Sequence, residues 1–155
     1  MTTPLDQLKS VDLSHLSKAE AKEFTLLLEE LEKREKRESS MASFYDFVKT
    51  IWPEFIAGAH HKKMAEAFDK IANGESKRLI INMPPRHTKS EFASYLFPAY
   101  LLGKRPKLKI IEATHTADLA INFGRRVRDL IESDDYAEIF PATQLKADSR
   151  SAGKW

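Results

Sequence analysis

Residues 78–91 read RLIINMPPRHTKSE, and the fold turns on how they are read. Leu79, Ile80 and Ile81 form a short continuous apolar run, the pattern of a strand buried on both faces. Pro84-Pro85 ends it. After a polar turn, Lys89-Ser90 stands at the mouth of a helix whose apolar positions are Phe92, Tyr95, Leu96 and Ala99. Strand, tight turn and helix in that order is the setting a phosphate-binding loop requires. Unpaired N–H groups at a helix start point outward and attract an anion. A lysine there adds a point charge for β- and γ-phosphates, and a following Ser or Thr hydroxyl can ligate Mg²⁺. The general pattern is G-x-x-x-x-G-K-[ST]. Here Met83 and Thr88 hold the glycine positions, and only Lys89-Ser90 and the setting match. A surface turn with an exposed lysine is the competing reading.

Working outward, Lys107 to Ala113, KLKIIEA, reads as a second strand. Thr116 is then an N-cap with Asp118 in the first turn, and Leu119, Phe123, Val127, Leu130 and Ile131 line one helix face. Pro98 should kink the helix after the loop, and Gly103 should end it. Upstream, Phe44, Phe47, Val48 and Ile51 repeat at helical spacing until Pro53. Met64, Ala67, Phe68 and Ile71 form another helical face, closed by Asn73-Gly74. Strand, helix, strand, helix argues for an α/β fold with a parallel sheet and flanking helices.

Residues 1–40 precede that pattern as a helical segment. Ser17 and Glu20 have capping-box spacing. Phe24, Leu27, Leu28 and Leu31 make a narrow stripe, and Glu29/Lys33, Glu30/Arg34 and Glu32/Lys36 are placed to pair at i,i+4. A helix docking onto a partner and a solvated helix packed on its own domain fit this stripe equally. The expected division is 1–40 and 41–155.

The chain has 155 residues, about one domain, with 42% hydrophobic and 31% charged side chains, too apolar for wholesale disorder. With no cysteine, disulfides, zinc–thiolate sites and thiol nucleophiles are excluded. No apolar run of about 18 residues suggests a membrane span, and no signal peptide is visible, so an intracellular soluble protein is expected. Residues 1–40 carry 7 basic and 9 acidic side chains, leaving 18 and 14 for the remainder, so any polyanion would sit on the second part.

The string M-P-P-R-H-T-K-S-E (83–91) resembles the Walker A variant of the large terminase subunit of tailed bacteriophages, which often reads P-P-R-H-G-K-S. The likeness extends to His60-His61-Lys62 and Lys77 to Asn82 upstream. Downstream it includes Gly103 to Pro106, Thr114 to Ala120, Phe123 to Arg128 and Phe140-Pro141, covering roughly residues 50–155. The resemblance implies an ATP-driven motor that packages viral double-stranded DNA, with a RecA-like ATPase domain joined to a nuclease. By matching position, Lys89 would hold the β/γ-phosphates and Ser90 would bind Mg²⁺. The backbone of Pro85, Arg86, His87, Thr88 and Lys89 would cradle the phosphates, and Arg86 would stabilise the γ-phosphate as charge shifts. Implied partners are ATP, DNA, the portal protein, the small terminase subunit and further copies of the full-length chain, in the cytoplasm of an infected bacterium. His60 and His61 lie where such proteins place an adenine-contacting motif; taken singly, a surface role suits each.

Two departures stand out. Thr88 replaces the glycine before the lysine, so a requirement for positive φ there would strain a β-branched residue. No later strand ends in an acidic pair to hold Mg²⁺ and orient water. Asp134-Asp135 follows a helix and reads as a helix-end turn. The expected architecture is therefore the first part of a RecA-like ATPase domain, binding nucleotide weakly and hydrolysing little. The alternative is a non-catalytic fragment or adaptor docking onto protein or DNA. Arg125, Arg126 and Arg128 could face DNA phosphates or a neighbouring subunit, though a solvated face with Asp129 and Glu132 as partners explains them more simply.

Overall fold

The structure is a computed structural model describing residues 4–11 and 15–145. The chain divides into two compact units, Met1–Ser39 and Ser40–Trp155.

The first unit holds α1 (Pro4–Lys9) and most of α2 (Lys18–Ala42). Reciprocal bonds start α2: Ser17 N–H donates to Glu20 Oε2 at 2.9 Å, and Glu20 N–H to Ser17 Oγ at 3.4 Å. Its surface ion pairs differ from the expected set. Arg34 pairs with Glu38 at 2.9 Å and Lys9 with Glu32 at 2.8 Å; such exposed pairs contribute little. Phe24 and Leu28 of the stripe are half-buried, whereas Leu27 and Leu31 are exposed.

The second unit is helical: α3 (Phe44–Ile51), α4 (Ala59–Ala72), a π-helical segment (Glu91–Leu96) running into α5 (Phe97–Lys104), α6 (Ala117–Ile131) and α7 (Asp134–Ile139). Local chemistry sets several of these ends. Ser43 caps α3 by accepting from Asp46 N–H, and Thr116 caps α6 by accepting from Leu119 N–H. Gly74 takes φ 81° after α4, and its N–H donates to Ile71 O at 3.0 Å. Pro98 acts before its own position. It has no N–H to give Ser94 O, and its ring crowds that carbonyl. The preceding turn widens, and Phe97 N–H donates to Phe92 O, five residues back.

The core is aromatic. Phe44 is fully buried, with the rings of Phe68, Phe92, Phe97 and Tyr100 at centroid distances of 5.2, 5.5, 5.5 and 5.4 Å. Polar atoms at its margin are paired. Asp69 Oδ1 accepts from Phe44 N–H at 2.9 Å and from Tyr100 Oη–H at 3.3 Å, and Tyr136 Oη–H donates to Ala99 O at 2.8 Å.

The expected sheet is overturned. Among the described residues there is no strand, so the partial RecA-like parallel sheet of an α/β fold is not present. Residues 79–83 and 107–113 are irregular segments without a hydrogen-bonded ladder. Ile80 is 85% and Ile111 94% exposed. A short apolar run marks a strand only where another strand takes up its N–H and C=O groups. These runs have no such neighbour, and the aromatic side chains of the helices fill the core instead. Of the first run, Ile81 and Met83 do pack against that core.

Gly103 corrects a second expectation. The helix continues through it to Lys104. The glycine is there for space, because a Cβ at this position would fall inside contact distance of the Phe140 ring. Gly103→Ala is expected to lower stability by about 1–3 kcal/mol through overpacking, and denaturant unfolding of the two proteins checks it. An unchanged midpoint would mean that Phe140 moves aside without cost.

Asp134 and Asp135 occupy the first turn of α7, where Ser133 accepts from Tyr136 N–H, rather than a helix-end turn. Their charges suit the positive end of that helix. No helix among the described residues is long and apolar enough to cross a membrane.

Candidate functional site

The turn before the π segment has an uncommon backbone. Arg86 has φ 64° and Thr88 φ 57°, both left-handed, with His87 between them outside that region. Left-handed residues at alternate positions turn successive N–H groups toward one side, as in anion-binding nests. The first turn of the helix adds free amides. Phe92 N–H is bonded to Thr88 O at 3.0 Å, the backbone bond that joins the turn to the helix after it. Lys89 Nζ reaches back over the turn to Met83 O, at 3.5 Å. Ser90 is exposed at the helix mouth. Lys89 and Ser90 also border a cleft of about 430 Å³ lined by Phe68, Ile71, Leu79, Ile81 and Phe97.

A β-branched residue in the left-handed region costs about 1–2 kcal/mol. At Thr88 side-chain bonds offset that cost. Thr88 Oγ1–H donates to His87 O at 2.7 Å, and His61 Nε2 lies 2.6 Å from Thr88 Oγ1. His61 Nδ1 accepts from Gly58 N–H at 2.8 Å, so in the neutral ring the proton is on Nε2, which donates to the threonine. His87 Nδ1 donates to Pro85 O at 2.9 Å, tying the turn to itself.

His61 therefore departs from the surface role expected of it: it is 6% exposed, packed by Phe55 and Phe92. His60 is exposed, with its ring 3.8 Å from His61 and 5.7 Å from His87. The available signal was spacing, since His61 shares the helical face of Met64, Ala65 and Phe68. Burial pushes the His61 pKa below the ordinary histidine value, and the charges of His60 and His87 push it the same way. The unfolded chain thus binds this proton more readily. The contribution to stability is complete above about pH 6.5 and declines as pH falls from there through the lowered value. Unfolding free energy is expected to drop between pH 7.5 and 5.5 with a slope of at most about 1.4 kcal/mol per pH unit from this residue. His61→Phe should flatten that part of the profile; an equal slope in the variant would remove His61 as its source.

On the basic face of α6 the expected acidic partner is found for Arg128, whereas Arg126 turns elsewhere. Arg126 makes a two-pronged ion pair with Glu91 at 2.9 and 2.5 Å and lies over the Tyr95 ring at 4.1 Å. Arg128 pairs with its neighbour Asp129 at 2.6 Å. The Glu91 pairing bears on the site. A carboxylate directly after Ser90 would repel an incoming anion, and the guanidinium neutralises it. Sequence inspection did not connect these two side chains.

Pro85, Arg86, His87, Thr88, Lys89 and Ser90 are thus contiguous on one turn, with Lys89 folded back across it. The amides of a helix mouth, one ammonium group and one exposed hydroxyl are a donor set suited to a polyphosphate with Mg²⁺. A magnesium brought in with the phosphates would take the Ser90 hydroxyl as its protein ligand. The described residues contain no cluster of three or more His, Asp or Glu side chains that could hold a metal by itself. No protein-family model, curated protein or solved structure matches the chain.

Proposed function

We propose that the Pro85–Ser90 turn binds the triphosphate of Mg-ATP, and that the chain is the nucleotide-binding part of a viral DNA-packaging motor of the terminase large-subunit kind. The observation that carries the first half is the alternation of left-handed Arg86 and Thr88 directly before a lysine at a helix mouth. Lys89 would exchange its weak bond to Met83 O for phosphate oxygens, and the amides of Arg86 to Lys89 would line the anion. Ser90 would ligate Mg²⁺, which when bound neutralises charge on the phosphates. The Arg86 side chain would meet the terminal phosphate. The second half rests on the sequence resemblance. Double-stranded DNA, a portal protein, the small subunit and further copies of the motor would then be partners, in the host cytoplasm.

Turnover by this chain is proposed to be slight. Phosphoryl transfer needs positioned metal and a positioned attacking water as well as a cradle, and Glu91, the carboxylate next to the turn, is tied to Arg126. Titration of Mg-ATP into the protein should show weak binding that Lys89→Ala removes, with hydrolysis near background. Robust Lys89-dependent turnover would overturn the low-activity reading.

The exposure of Ile80 and Ile111 favours a second reading, an adaptor that covers these side chains with a partner protein. Nucleotide indifference, with partner or DNA binding insensitive to Lys89, would support it.

A further inference from the structure

We propose that His61 is the positioning residue of the phosphate turn: its Nε2–H bond to Thr88 Oγ1 holds position 88 in the left-handed conformation that a glycine would adopt unaided. The inference rests on the reading of the turn as a phosphate cradle. Thr88 has φ 57°, where a β-branched side chain is strained. Such strain persists only when surrounding contacts over-determine it. Here the contacts form one directed chain. Gly58 N–H donates to His61 Nδ1 at 2.8 Å, His61 Nε2–H to Thr88 Oγ1 at 2.6 Å, and Thr88 Oγ1–H to His87 O at 2.7 Å. Each bond sets the direction of the next, because an imidazole that accepts at Nδ1 can only donate at Nε2.

The imidazole is itself held. It is 6% exposed, with the Phe55 and Phe92 rings at 4.8 and 5.4 Å, on the first turn of α4. The titratable neighbours are His60 at 3.8 Å and, beyond it, His87. Among the described residues no other side chain bonds to the Thr88 hydroxyl, so removing His61 leaves that hydroxyl with its local bond to His87 O. The link spans 27 positions of sequence and joins α4 to the turn, which makes nucleotide affinity depend on a helix outside the cradle.

The test combines His61→Phe and His61→Gln with Thr88→Gly and Thr88→Val. Affinity for Mg-ATP and for inorganic tripolyphosphate is measured by calorimetry, and the intraresidue HN–Hα NOE of residue 88, strong only at positive φ, reports its backbone without any ligand. In the parent protein His61→Phe should weaken both ligands at least tenfold and move residue 88 out of the left-handed region. His61→Gln, which keeps a donor, should restore most of the loss. With Gly at 88, His61→Phe should change affinity by less than twofold. Thr88→Val removes that bond together with the one to His87 O and should weaken binding at least as much as His61→Phe. A left-handed Thr88 in both His61 variants, or an equal loss with glycine at 88, overturns the proposal. Binding that is absent, or that Lys89→Ala leaves intact, overturns the cradle instead, and the HN–Hα NOE of residue 88 still decides what His61 does. If His61→Phe does not fold, Thr88→Val and His61→Gln carry the same comparison.

Discussion

Replacing Lys89 by alanine is expected to lower Mg-ATP affinity ten- to a hundredfold and to leave folding almost untouched. Hydrogen bonds to charged groups contribute about 1.5–3 kcal/mol, and each 1.4 kcal/mol is about one decade of affinity. The effect on stability is small because the ammonium has one long bond in the protein, 3.5 Å to Met83 O. Its removal leaves behind a carbonyl at a turn and no buried charge. Lys89→Arg keeps the charge but substitutes a planar fork for a compact ammonium, so it should recover only part of the affinity. Calorimetric titration with Mg-ATP, alongside a denaturant curve, separates the two effects. Equal affinity in Lys89→Ala and the parent protein would rule out the ammonium as a phosphate ligand.

The largest stability effect is expected at Phe44. Phe44→Ala should cost about 3–5 kcal/mol, the range for emptying a fully buried aromatic site. The ring touches five others, from Phe47, Phe68, Phe92, Phe97 and Tyr100, contributed by α3, α4, the π segment and α5. No single neighbour can move into the vacated space without leaving another ring. With total stabilities of about 5–15 kcal/mol typical of domains, this loss lowers the melting temperature by roughly 10 °C or more. Leu27→Ala is the contrast, since Leu27 is 58% exposed and surface changes stay within about 0.5 kcal/mol. A Phe44→Ala protein melting within a degree or two of the parent would mean that this aromatic cluster does not hold the unit together.

These two sites differ in how visible they were in the sequence. Phe44, Phe47 and Val48 stand out through helical spacing, with Ser43 before them and Pro53 after, and they are the buried face of α3. The caps at Ser17 and Thr116 are visible for the same reason, that donor and acceptor lie within three residues. Positions 79–83 and 107–113 misled because period alone cannot tell a paired strand from an unpaired apolar segment. Whether a ladder forms depends on a second segment, and the pattern of the first says nothing about it. At the turn, the residue types suggested phosphate chemistry, but the left-handed backbone of Arg86 does not follow from its identity.

The amino-acid order by itself determined the starts of α2 and α6, the apolar faces of α3, α4 and α6, and the run of residues from Pro85 to Ser90. Each depends on interactions within about one or two helical turns, which spacing encodes directly. Tertiary structure alone decided that the two short apolar runs stay unpaired. It also decided that His61 is buried against Thr88, 27 positions away, and that Arg126 turns to Glu91 across 35. Those outcomes depend on which distant segments close a loop and exclude water from each other, and that choice belongs to the packed chain as a whole.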